Sequence, residues 1–225
     1  LKSAVYFNQQ SAGYKSWGKV EVVQIAIRLD NNEIISTKQN KPLHSINEQD
    51  ISMETANSIF AKIFAKRKKV KVIFITKQEY ASQVKEEIPP ILDDQAQLLG
   101  VSVRIAKNEG CILQALNGRF AAVFANGESI CLGTSIDDAY VAAQLLEKTS
   151  KAFVEAKYLG GAKSINRIEA WLMQQFYQFK YSKEAKQTVI SIGKTTALQL
   201  QEMQIEHKVA YQPYTYALVD EVMSV

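Results

Sequence analysis

Short apolar runs of strand period alternate along this chain with stretches whose apolar residues recur at helical spacing. "KVEVVQIAIRL" (residues 19–29) alternates and is rich in β-branched side chains, so it predicts a strand. Asn31 and Asn32 supply a turn into "EIIST", and the two runs pair as a hairpin. Between residues 53 and 65, Ala56, Ile59, Phe60, Ile63 and Phe64 recur at the spacing of a helix. "VKVIFIT", which follows, is continuously apolar, the pattern of a strand buried on both faces and ending at Thr76.

"EEIPPILDD" interrupts regular structure, because its two prolines can neither donate to a ladder nor continue a helix. "VSVRIA" predicts another strand, "CILQALNG" a short helix closed by Gly118, "RFAAVFA" a buried strand, and "NGESICLG" a turn feeding a last strand. "TSIDDAYVAAQLLEKTSKAFVEAKYLGG" is the best-marked helix. Ser135 is its N-cap, with Asp138 three residues on as a capping box. Ala139, Ala142, Leu146, Phe153 and Ala156 form one apolar stripe, and Gly160 and Gly161 stop it. A further helix covers "INRIEAWLMQQFYQFKYS", and a short one opens the chain and ends near Gly13. Residues 183–225 form an extension that packs on the outside or on a neighbour. With no repeat and no low-complexity linker, residues 1–225 are expected to form a single α/β domain.

Composition narrows the function. At 225 residues and 47% hydrophobic content the chain can bury a sizeable core. Its 27 basic and 23 acidic residues give no dense basic footprint for nucleic acid, and "KRKK" (residues 66–69) predicts a solvated turn. No apolar run approaches the roughly 18 residues of a membrane span. "LKSAVYFNQQ" lacks the features of a secretory signal, and the absence of an initiator Met suggests a trimmed chain or a fragment. Cys111 and Cys131 are too few for a disulfide framework, and neither has Cys or His at metal-ligand spacing, so a cytoplasmic protein is expected.

Several blocks together resemble the class II aldolase/adducin family, which includes fuculose-phosphate aldolase and ribulose-phosphate epimerase. "SWGKVEVV" is similar to the family's T-W-G-N-x-S segment, and "IISTKQNKPLHSINEQDI" to I-T-P-S-G followed by L-T-x-E-D-I. "IFAKRKKVKVIFITKQEYA" resembles I-Y-x-x-R-P-D-V-x-A-V-V-H-T-H-x-x-Y-A. "EIPPILDDQAQLLG", the segment from "VFANGESICLG" to "KYLGG", and "FYQFKYS" follow in family order, so the likeness runs over residues 16–182. It implies a three-layer α/β/α fold around a largely antiparallel sheet, and a homotetramer with active sites between subunits. It also implies a divalent metal, often zinc, on three histidines, which polarises a ketose carbonyl and stabilises an enediolate. A glycine- and serine-rich pocket takes the substrate phosphate.

Carried over by position, that metal site is missing. The H-T-H segment falls on Ile75, Thr76 and Lys77, and the histidine of N-H-G falls on or beside Asn126. An aliphatic side chain cannot ligate, and an ammonium about 4 Å from a divalent ion repels it by on the order of 8 kcal/mol at an effective dielectric of about 20. His44 and His207 are the only histidines and are far apart in sequence. The phosphate pocket is reduced to remnants. Lys19 replaces the Asn of W-G-N, Thr37, Lys38, Gln39 and Asn40 replace the T-P-S-G loop, and Ser52 survives from a serine pair. Glu54 lies off the family register and predicts only an acid at a helix start.

Two expectations follow. The first is a non-catalytic member of the family, as adducins are, that binds a sugar phosphate or acts as an assembly subunit. It would form a homotetramer or a mixed oligomer with an active relative, without a cofactor. The second is an active carbohydrate aldolase or epimerase. It would either be metal-dependent, with zinc or another divalent ion on unaligned ligands, or use Lys77 as a nucleophile made neutral by burial and a second cation such as Lys19 or Lys38. Tyr80, Asp93 and Asp94 are near in sequence, but no spacing ties them to proton transfer.

Overall fold

The computed structural model describes residues 19–39 and 46–184. They belong to the first of two units into which the chain divides, Leu1–Phe179, except for the last helical turns. The second unit, Lys180–Val225, lies almost wholly outside the described residues, as do the predicted opening helix, the C-terminal extension, His44 and His207.

Seven strands form one sheet in the order β3-β2-β1-β4-β7-β6-β5. They are β1 (Val20–Arg28), β2 (Ile34–Thr37), β3 (Ile51–Met53), β4 (Val72–Gln78), β5 (Arg104–Ala106), β6 (Ala121–Phe124) and β7 (Glu128–Gly133). Every pairing is antiparallel except β5 with β6. The hairpin of β1 and β2 turns through Asn32 at φ 66, a left-handed conformation that asparagine tolerates.

The alternation of β4 builds the layers. Val72 and Phe74 enter one apolar cluster, under the helix α3 (Ile136–Lys157), with Ala139, Ala143, Leu146 and Phe153. Ile73 and Ile75 enter the other, with Phe60, Ile63 and Phe64 of α1 (Ile59–Lys66) and Ile112 and Ala115 of α2 (Ile112–Ala115). The expected three-layer, largely antiparallel architecture is present. A bulge between Val22 and Gln24 switches the parity of β1, so Val20 and Val22 before it and Ile25 after it face α3, while Val23 and Ala26 face the other layer.

Several boundaries depart from the sequence pattern. The helix expected from residue 53 begins only at Ile59, because β3 captures residues 51–53 and Ser58 caps α1 by accepting from the Ala61 amide at 3.1 Å. Ala56 therefore sits in an exposed turn. Strand β4 runs past Thr76 to Gln78, since β1 and β7 extend alongside it. Beyond the two prolines the chain coils again into a wide turn of π-helix, Gln95–Leu99. At the start of α3 Ser135 accepts from the Asp138 amide as expected, while the Asp138 carboxylate takes the Thr134 hydroxyl. Within "KRKK" the lysines are exposed, but Arg67 turns inward and donates to the carbonyls of Leu116 (2.6 Å) and Arg119 (2.8 Å). The last helix, α4 (Arg167–Glu184), rests on the body through the buried Ala170 and Gln174.

Candidate functional site

Strand β4 leaves the core at Lys77. Its even positions face α3, where Gln78 Nε2 donates to the Ala143 carbonyl at 2.7 Å. Lys77 lies on the opposite face with Ile73 and Ile75, and it is exposed. The register makes Glu21 of β1 its direct neighbour on one side and Glu128 of β7 on the other. Directly opposed residues carry Cβ atoms about 5 Å apart, so the row alternates carboxylate, ammonium, carboxylate. An open cleft of ≈ 490 Å³ forms at this end of the sheet, lined by Lys19, Glu21, Lys77, Glu79, Ser82, Asn126, Gly127 and Glu128 with Gln78. Two ammonium groups therefore face three carboxylates.

Asn126 shapes the cleft's floor. Its Oδ1 accepts from the Glu128 amide at 3.0 Å and its Nδ2 donates to Glu128 Oε2 at 3.1 Å, which fixes both the β6–β7 turn and the Glu128 carboxylate. Gly127 completes the turn at φ 88, where a Cβ would also stand 3.3 Å from that of Ser82. Across the cleft, the turn after β4 is held from behind. Tyr80 N and Ala81 N donate to the two oxygens of Glu147 at 2.8 and 3.0 Å. Glu147 is fully buried on α3, and burial pushes its carboxyl up to about 7 against the pull of the amides. The turn so fixed carries Ser82 and Glu79, whose carbonyl accepts from the Ser82 hydroxyl at 2.9 Å.

The structure brings Lys19, Lys77 and Asn126 together, with Ile75 one pleat below and buried. It does not bring Thr37, Lys38, Ser52 or Glu54 to them as cleft-lining residues. Thr37 is buried and works inside the sheet: its hydroxyl accepts from Ile25 N and its carbonyl from Gln24 Nε2, both at 3.0 Å. Ser52 is exposed on β3 opposite Ser36, and Lys38 is an exposed residue whose amide bonds Asp50. Glu54 is not a helix-start acid. The chain is still leaving β3 there, its amide donates to the Ile34 carbonyl at 2.8 Å, and its carboxylate takes the Ser36 hydroxyl. Asp94, which no spacing tied to the site, pairs with Lys148 at 2.7 Å. Glu21, Glu79, Ser82, Glu128 and Glu147 escaped the sequence reading. Glu21 and Glu128 sit at polar positions of otherwise apolar strands, a signal that marks an exposed strand end but not the register between strands.

Zinc does not fit these residues. Ile75 has no lone pair, Lys77 brings a cation, and Asn126 is engaged in its own turn. Among the described residues no group of three His, Cys, Asp or Glu stands together to hold a metal ion. The thiols offer nothing either: Cys131 is buried, burial pushing it up to about 12, and Cys111 is half-buried. No helix among the described residues is long and apolar enough to cross a membrane.

A seven-stranded, largely antiparallel sheet between two helical layers, with a cleft where β4 ends, is the fold of the class II aldolases. An L-fuculose 1-phosphate aldolase superposes with a TM-score of 0.66 at 16% identity, over 79% of this chain and 95% of that one. The L-fuculose 1-phosphate aldolase of Glaciozyma antarctica PI12 gives 0.57 at 15% identity, over 81% and 88%. An aldolase II superfamily protein of Pseudomonas syringae gives 0.55 at 11% identity, over 89% and 88%. These likenesses are of fold. No family model matches the sequence, and no curated protein matches it.

Proposed function

We propose that this chain is a non-catalytic protein built on the class II aldolase fold, serving as a binding or assembly subunit in a homotetramer or with an active relative. The observation that carries this reading is the cross-strand row Glu21, Lys77, Glu128 at the end of β4. Where the resemblance puts two histidines on one strand, this chain has a core isoleucine and a lysine set between glutamates. Metal-assisted cleavage of a carbon–carbon bond has no ligand set here among the described residues.

The row also bears on the ligand. With three carboxylates to two ammonium groups, the cleft opposes a phosphate dianion, and Thr37 is engaged elsewhere. A neutral or cationic polar ligand, or a partner's surface, suits it better than a sugar phosphate.

The competing lysine mechanism finds Lys19 and Lys77 at one cleft, as it needs, but each stands beside carboxylates. Borohydride reduction in the presence of ketoses and aldehydes separates the readings, because an imine on Lys77 would be trapped as a stable mass increase. We expect an unchanged protein mass. An adduct at Lys77, lost in Lys77→Met, would replace this proposal with a Schiff-base enzyme. Assembly is checked by light scattering, where a monomer throughout the micromolar range would remove the assembly role.

A further inference from the structure

A second charged cluster lies at the other end of the sheet. One oxygen of Glu87, Oε1, is ringed by three guanidinium groups: Arg104 Nε at 3.6 Å, Arg119 Nη2 at 3.9 Å and Arg167 Nη2 at 3.8 Å. Charge-assisted hydrogen bonds close to about 2.7–2.9 Å, so none of the three has done so. Three cations face one anion, and Arg104 and Arg167 make no other ion pair among the described residues.

The cluster has a fixed wall and two adjustable arms. Arg119 is buried, with only 8% of its side chain exposed. Its Nε donates to the carbonyl and hydroxyl of Ser102 at 3.0 Å each, its Nη2 to the same hydroxyl at 2.7 Å, and its Nη1 to the Asn117 carbonyl at 2.7 Å. Arg104 opens β5, and Arg167 is the first residue of α4, where Asn166 Oδ1 accepts from the Ile168 amide at 2.8 Å. Both are more exposed, at 38% and 73% of the side chain. Burial and the repulsion of Arg104 lower the Arg119 guanidinium's affinity for its proton, and Glu87 offsets this only in part. Burial raises Glu87, but the Ser102 hydroxyl and the three arginines outweigh it and hold its carboxyl below the ordinary value.

We propose that Arg104, Arg119 and Arg167 form an oxyanion site for a phosphate group, separate from the cleft at Lys77, with Glu87 as a resident that partly fills it. Two uncompensated positive charges match a phosphate dianion, and the three nitrogens surround one point closely enough for a single tetrahedral anion to meet them all. Guanidinium groups suit this role because each presents paired donors to an oxyanion. Arg119 precedes β6 while Asn126 and Gly127 follow it, so this site and the cleft lie at opposite ends of that strand.

Titration calorimetry of the full chain with inorganic phosphate at low ionic strength tests the assignment, with glycerol 2-phosphate as a second arm. Saturable binding of either is expected, and tighter binding of the ester identifies a phosphoryl group on an organic carrier as the better ligand. Arg167→Gln and Arg104→Gln should each weaken binding about fivefold or more, whereas Glu87→Gln should tighten it about fivefold by removing the competing carboxylate. Arg167 is exposed, so its variant keeps the test sound even if Glu87→Gln unfolds. Absence of phosphate binding, affinity in both arginine variants unchanged from that of the unsubstituted protein, or loss of binding in Lys77→Met would overturn the proposal.

Discussion

The two ends of β4 follow different rules although one strand makes both. From Val72 to Thr76 every side chain is buried, alternate residues entering the cores above and below the sheet. At Lys77 the strand reaches water, and its neighbours there are the glutamates of β1 and β7. A substitution in the first region opens a cavity or strands a polar group. In the second it alters a solvated row whose pairs contribute little. Residues of the buried half therefore report on the fold, and residues of the open end report on what the cleft is for.

Phe74 gives the largest expected effect. It is fully buried beneath α3, and Phe74→Ala should cost about 3–5 kcal/mol of unfolding free energy in a urea titration. A loss under about 1 kcal/mol would mean that the buried half is not packed as described.

Glu147 comes next, because it is a charge placed on the buried side of the divide. A carboxyl raised to about 7 in the folded chain favours the protonated form there. Below pH about 4.5 both folded and unfolded chains carry the proton, and no penalty arises. As pH rises the unfolded chain ionises first, so stability falls progressively until about pH 7, by on the order of 3 kcal/mol. Glu147→Gln should flatten that slope. Thermal melts from pH 4.5 to 8 in both proteins check it, and parallel curves would show that Glu147 does not titrate in this range.

The smallest effect belongs to Lys77. Lys77→Met should change stability by no more than about 1 kcal/mol, since charge interactions along a solvated row of side chains are weak and salt-screened. A loss of several kcal/mol would move Lys77 to the structural side of the comparison.

The same divide explains what the sequence made legible. Period and capping are local, so β1, β4, β6, β7 and α3 could be read from apolar spacing, from Ser135 and from the paired glycines. The helix start at Ile59 was misplaced because β3 is three exposed residues whose only reason to be a strand is their pairing with β2. At the site, Ile75, Lys77 and Asn126 are legible because they occupy positions of a motif. Glu21 and Glu128 are not, since register between strands distant in sequence is set by the packed sheet. The ring of arginines around Glu87 draws on two loops, a strand start and a helix start, and no spacing links them.

Metal content bears most directly on the central claim that this fold is used here without its metal chemistry. The protein should be purified without chelators, incubated with zinc, desalted and subjected to elemental analysis. Well under one tightly held divalent ion per chain is expected, because Ile75, Lys77 and Asn126 supply no ligand set. About one ion per chain, retained after desalting and abolished by His44→Ala or His207→Ala, would contradict it.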